Sequence, residues 1–308
     1  VSWWRAWVEV WDRREPPTAL ALVRIAVALV ALLDLIHIRR LGLVEPLWSH
    51  PPAGYATGYQ AWLGAGALWT AGVIALAAML VGAATRVACI AYLLVSVQMS
   101  SLAPNSETSI DMIFRIVVVI LALSRCNARW SVDAWIARKL GRPPPAEVPA
   151  WPRYLLMLQL LWIYFSAGTN KTGAEWGPLG GFRALELALT DPSAARFDPS
   201  WLAVAYPLTR VATALTMLFE LVAPLYLLFY YFAATRDRPG RLRALCNRWR
   251  VRWVWIALGM TFEVGIAIFL CIGDFPWGML ALYPVLLLPE DLQRLNTAEP
   301  ANRASSPS

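Results

Sequence analysis

TALALVRIAVALVALLDLIH, residues 18–37, decides the fold. The run is apolar apart from Thr18, Arg24, Asp34 and the closing His37. At about 1.5 Å of rise per residue, a helix of about 20 residues covers the ~30 Å hydrocarbon core of a bilayer. A membrane barrel would instead show short segments of alternating polarity, about ten residues each. In lipid only the chain itself can satisfy backbone N–H and C=O groups, so a continuous apolar run of this length predicts a helix.

Working outward, comparable runs occupy about 61–83, 86–103, 109–125, 152–169, 205–233, 252–272 and 275–289. The last is short and carries proline, and reads as a tilted or half-penetrating segment. Composition agrees: 58% of the 308 residues are apolar and 15% are charged, whereas a soluble domain carries about 25% charged residues. The expected fold is therefore all-α and integral to the membrane, a bundle of about eight transmembrane helices. Two amphipathic stretches are expected to lie in the interface. SWWRAWVEVWDR (2–13) sets Trp3, Trp4, Trp7, Val8 and Trp11 on one helical face. WSVDAWIARKLG (130–141) does the same with Val132, Trp135, Ile136 and Leu140. The chain divides into an N-terminal interfacial helix (1–17), the membrane domain (18–291) and a tail (292–308) expected to be disordered. No internal repeat, interrupted helix pair or second, soluble domain is evident.

The formal net charge is +7, and its placement argues against nucleic acid as a partner. Arginines stand beside apolar runs, where anionic headgroups and cytoplasmic loops hold them. Seven of them, from Arg236 to Arg252, fall in the single loop 234–252. Counting loop by loop predicts a multi-pass inner-membrane protein with both termini cytoplasmic and the 170–200 loop outside. The N-terminus has no cleavable signal pattern. Cys89, Cys126, Cys246 and Cys271 lack metal-binding spacing and read as small hydrophobes.

Ionisable groups inside spans are costly, so each requires a partner or a task. Arg24 and Asp34 lie in the first span, and Asp111 and Arg115 are spaced i, i+4 so that they can pair. Glu220 and Glu263 have no partner within their own spans and are candidate proton carriers. Lys171 follows the fifth span in IYFSAGTNKTGAEWGPLGG. It reads either as a snorkelling interfacial lysine beside Trp176 or as a base whose charge is stripped at a low-dielectric rim. Small neighbours, Gly168 among them, allow a helix or flat ligand to approach.

YFSAGTNKTGAEW (164–176) resembles the signature of the vitamin K-dependent gamma-carboxylase and its bacterial relatives, the horizontally transferred transmembrane (HTTM) domain family. In that family a Tyr-Phe-x-Ala-Gly-x-x-Lys-x-x-x-x-Trp pattern supplies the catalytic lysine, and Lys171 stands in its place. WSVDAW (130–135), SIDMIFRI (109–116), FELVAPLYL (219–227) and the segment 262–291 are similar to further family segments, in order.

The resemblance implies Lys171 as the catalytic residue and matches Glu220 to an acidic family position; Glu220 and Glu263 are expected to act with it as catalytic proton carriers, with Tyr164, Gly168, Trp176, Asp111 and Arg115 around the substrate. It implies a bacterial-type member without the carboxylase's large extramembrane C-terminal region, and a reduced naphthoquinone as cofactor. Family chemistry would have an uncharged lysine deprotonate the quinol. The anion reacts with dioxygen, the strong base so formed removes a glutamate γ-proton, and the carbanion takes up carbon dioxide. Glu263 stands where the family commonly has histidine. Two functions are therefore expected: a carboxylase-like or quinol-oxidising membrane enzyme acting on a lipophilic substrate, or a non-catalytic anchor for a membrane protein partner. Transport ranks behind both.

Overall fold

The computed structural model describes residues 4, 5, 8, 11–49 and 63–292. Residues 1–3, 6, 7, 9 and 10 of the expected N-terminal interfacial helix, the start of the second apolar run and the tail beyond 292 lie outside the described residues. Among the described residues four helices are long and apolar enough to cross a membrane: Thr18–Arg40, Thr85–Leu102, Pro199–Leu221 and Val251–Phe269. Shorter apolar helices run over Ala65–Val81, Ala223–Ala234 and Phe275–Leu286.

Helix α1 (Thr18–Arg40) is followed by the short α2 (Val44–Trp48), then α3 (Ala65–Val81), α4 (Thr85–Leu102) and α5 (Ser109–Leu123). These pack in sequence, α1 on α3, α3 on α4 and α4 on α5. After α6 (Val132–Lys139) and α7 (Trp151–Asn170) come α8 (Ala184–Thr190), α9 (Leu202–Leu221) and α10 (Tyr226–Ala234). The chain closes with α11 (Arg241–Arg248), α12 (Val251–Phe269) and α13 (Phe275–Leu282), which packs back on α1. The bundle is apolar outside as well as inside: Ile74, Val87 and Trp162 are each more than 60% exposed. A helix that is hydrophobic all round requires lipid or protein on every side.

Two expected runs are interrupted, which corrects the reading that none is. The 205–233 run breaks into α9, a 3-10 turn at Ala223–Leu225 containing Pro224, and α10. The 275–289 run ends its α-helix at Leu282 and continues as a 3-10 turn, Tyr283–Leu286, containing Pro284. Proline removes an N–H and crowds the preceding turn, so the α-helix yields. Non-helical backbone at membrane depth is tolerated only where protein satisfies it. Here the Tyr226 hydroxyl donates to the Leu286 carbonyl at 2.6 Å. Arg153 donates to the carbonyls of Val285 (2.9 Å) and Leu287 (3.2 Å). The same guanidinium grips Glu15 with two nitrogens and donates to the Tyr230 hydroxyl. Glu15 belongs to β1 (Arg14–Glu15), which pairs antiparallel with β2 (Val148–Pro149).

Arg24 closes the turn between α3 and α4. Buried completely, it donates to the carbonyls of Met79 (2.6 Å), Leu80 (3.0 Å) and Trp130 (2.6 Å). Gly82 turns there at φ +69°, and a β-carbon on it would strike both Ser131 and the Arg24 guanidinium. The amphipathic α6 forms as expected, with the Ser131 hydroxyl accepting from Ala134 N at 2.9 Å and with Trp135 and Leu140 left exposed. Its Asp133 caps another helix: Ala84 N (2.7 Å), Thr85 N (3.0 Å) and the Thr85 hydroxyl (2.8 Å) donate to it at the start of α4. Asn127 donates to the same carboxylate at 3.0 Å. Burial works against the charge on Asp133, but these donors outweigh it and hold the carboxyl below its ordinary range.

Candidate functional site

The last turn of α7 carries Ser166, Ala167 and Gly168, so α9 can come close. A β-carbon at Gly168 would lie 2.9 Å from that of Glu220. Lys171 follows as the C-cap of α7, and its Nζ donates to both carboxylate oxygens of Glu220. The ammonium also sits 4.8 Å from the centroid of the Trp176 ring. The Lys171 side chain is 20% exposed and that of Glu220 only 3%. Lys171, Gly168, Trp176 and Glu220 thus form one cluster. Two helices converge at a glycine and bring the Glu220 carboxylate to the amine.

Two turns back along α7, the Tyr164 hydroxyl donates to Glu263 Oε1 at 2.6 Å and lies 3.0 Å from the Tyr283 hydroxyl. Glu263 is fully buried, and its Oε2 has no hydrogen-bond partner among the described residues. Rings pack around this group: Phe219 lies 4.8 Å from Tyr164 and stacks at 4.6 Å on Trp255. Tyr283 was not singled out from sequence. The one signal for it was a phenol beside proline in an otherwise apolar run, and only the 3-10 turn aims it at Tyr164.

Asp111 and Arg115 do not pair with each other. Asp111 completes a capping box at the start of α5, accepting from the Thr108 N–H and hydroxyl at 2.8 Å each. Arg115 forms an ion pair with Glu107, whose other oxygen accepts from Ser100. The i, i+4 spacing permits a pair, but a helix N-terminus offers Asp111 two donors that do not need a long side chain to be fixed. Both residues line a cavity of about 600 Å³ that also takes in Asp34, Asp274, Trp48 and Trp277. A second, apolar groove of about 390 Å³ runs between α9 and α12, with Leu208, Phe219, Phe262 and Phe269 in its walls. Neither has Lys171, Glu220 or Glu263 in its described lining. Phe219 and Phe262 immediately precede the two glutamates, so the groove and the carboxylates lie on neighbouring faces of the same two turns.

Chemically, the Lys171–Glu220 pair can store and release a proton, and the two tyrosine hydroxyls beside Glu263 can relay one. A family model, the HTTM domain, matches residues 12–290. No solved structure matches the chain.

Proposed function

The chain belongs to the HTTM domain family and is a membrane protein, and on that premise we propose that it is a quinol-dependent membrane enzyme whose base is the Lys171–Glu220 pair. The observation that carries this reading is the pair itself, largely withdrawn from solvent and covered by Trp176. In the proposal the chain crosses the inner membrane about eight times with both termini cytoplasmic, and the pair works near the outer rim. The ammonium proton of Lys171 moves to Glu220, leaving both groups neutral. The freed amine then takes a hydroxyl proton from a reduced naphthoquinone or similar lipophilic quinol. Such a cofactor would supply the electrons for reaction with dioxygen, and carboxylation is one outlet for the base so generated. The apolar groove beside Phe219 and Phe262 is suited to a flat ring or its tail arriving from lipid. Glu263, Tyr164 and Tyr283 lie one layer deeper and would hold a second proton.

Lys171→Ala in lipid nanodiscs should abolish quinol-dependent oxygen consumption while the protein still unfolds cooperatively. Turnover equal to wild type would sink the proposal.

A second reading, a non-catalytic anchor for a membrane protein partner, is favoured by the close packing of the Tyr164, Phe219 and Trp255 rings beside Glu263. Co-purification of a stoichiometric partner together with failure to bind quinone would favour it. A quinone retained through purification would count against it.

A further inference from the structure

We propose that the 600 Å³ cavity bounded by α1, α5 and the start of α13 is a binding site for a small organic cation bearing an ammonium group. This is separate from any chemistry at Lys171. All the charged residues of its lining fall at the end of the bundle that the charge count assigns to the outside.

Charge accounting singles out the ligand class. Glu107 and Arg115 neutralise each other, and Asp111 is engaged by Thr108. Arg196, in the wall, is exposed and donates to the Leu270 carbonyl at 3.3 Å. That leaves Asp34 and Asp274, which share the wall with His37 and have no arginine or lysine paired to either among the described residues. Two acidic side chains sharing one wall at membrane depth are held either by a shared proton or by a cation, and a ligand's ammonium group would supply the cation.

The aromatic lining points the same way. Trp48, Tyr92, Phe114 and Trp277 all border the cavity, and ring faces beside carboxylates are the combination that receives an ammonium or quaternary ammonium group. The described residues hold no group of three or more His, Cys, Asp or Glu side chains arranged for a metal ion, so an organic cation fits better than a bare divalent one. The volume accommodates a ligand of choline size with room for water.

The test uses the full chain in zwitterionic nanodiscs, with choline and tetraethylammonium as probes and choline's uncharged carbon isostere as control. Both cations should bind saturably by calorimetry and raise the unfolding temperature, and the isostere should do neither. Asp34→Asn with Asp274→Asn should weaken choline binding by about tenfold or more, as expected for the loss of one strong ionic or cation–π contact. The same double variant should unfold no earlier than wild type in the absence of ligand, since asparagine keeps the shape and can hydrogen-bond in the same place. Should the double variant fold poorly, the single Asp274→Asn change at the helix start must still weaken binding. Absence of saturable binding by either cation, equal binding of the isostere, or undiminished binding by the aspartate variants would overturn the assignment. Binding of inorganic phosphate that depends on Arg196 would overturn it too, by reversing the sign of the site.

Discussion

Gly168 and Glu220 touch across α7 and α9 with no room for a side chain between them, and Lys171 meets its carboxylate because of that contact. A β-carbon at position 168 would lie 2.9 Å from Glu220 Cβ and 3.3 Å from the Leu221 backbone nitrogen. Backbone cannot rotate away as a flexible side chain can, so the helices must separate. Gly168→Ala should therefore cost about 1–3 kcal/mol, the usual range for overpacking, and Gly168→Val more. Thermal unfolding in nanodiscs measures it. Quinol-dependent turnover should fall further than stability does, because the Lys171–Glu220 distance is set by the same contact. An alanine variant as stable and as active as wild type would show that the contact is slack.

The Tyr164–Glu263 bond gives a second prediction. Among the described residues Tyr164→Phe removes the one donor to Glu263, leaving a fully buried carboxyl with neither oxygen satisfied. An orphaned buried group costs about 1–3 kcal/mol, so the single variant should be clearly destabilised. Tyr164→Phe combined with Glu263→Leu removes both partners and should recover much of the loss. The double-mutant cycle, read by chemical unfolding, checks the coupling; purely additive effects would argue that the bond contributes nothing.

Asp133 predicts a pH dependence outside the spans. Its folded carboxyl is held below the ordinary range although burial opposes this, because Thr85, Asn127 and Ala84 donate to it. A carboxyl depressed on folding stabilises the protein fully above its unfolded value, near 4, and loses that contribution as pH falls through the lower folded one. Wild type should therefore lose stability on acidification from about pH 4 downward, and Asp133→Asn should show a shallower loss over the same window. Parallel unfolding curves of the two proteins across pH would contradict the assignment.

Much of this fold can be read from the sequence because bilayer length and apolar composition leave few alternatives. The runs starting near residues 18, 86 and 252 become helices long enough to cross. What sequence does not disclose is where long-range polar contacts land. The proline-bearing 275–289 run could be read as irregular and the 205–233 run could not, and the carbonyls of the Pro284 turn are satisfied by Tyr226, Arg153 and Arg252 from far along the chain. Glu220 could be picked out as an unpaired carboxylate and Lys171 as a candidate base. Their union depends on Gly168 sitting opposite position 220, a register that no local pattern encodes. Asp111 and Arg115 failed for the converse reason: spacing makes a pair possible, and competing donors decide otherwise.

Arg153 supplies the last prediction. Its guanidinium is almost wholly buried, grips Glu15, and is the donor to the Val285 and Leu287 carbonyls of the broken segment. Arg153→Met would strand a buried carboxylate and two carbonyls together. Breaking one side of a buried pair costs about 3–5 kcal/mol, which places this variant among the most damaging single changes in the chain. Adding Glu15→Leu removes the stranded carboxylate and should restore only part of the stability, because the two carbonyls stay unpaired. Lysine at 153 keeps the charge but lacks the planar fork that serves Glu15, Tyr230 and two carbonyls at once, so Arg153→Lys should also fall short. If the Glu15→Leu, Arg153→Met protein were as stable as wild type, the carbonyls of 285 and 287 would not need the arginine, and the 3-10 turn would have to be held by packing alone.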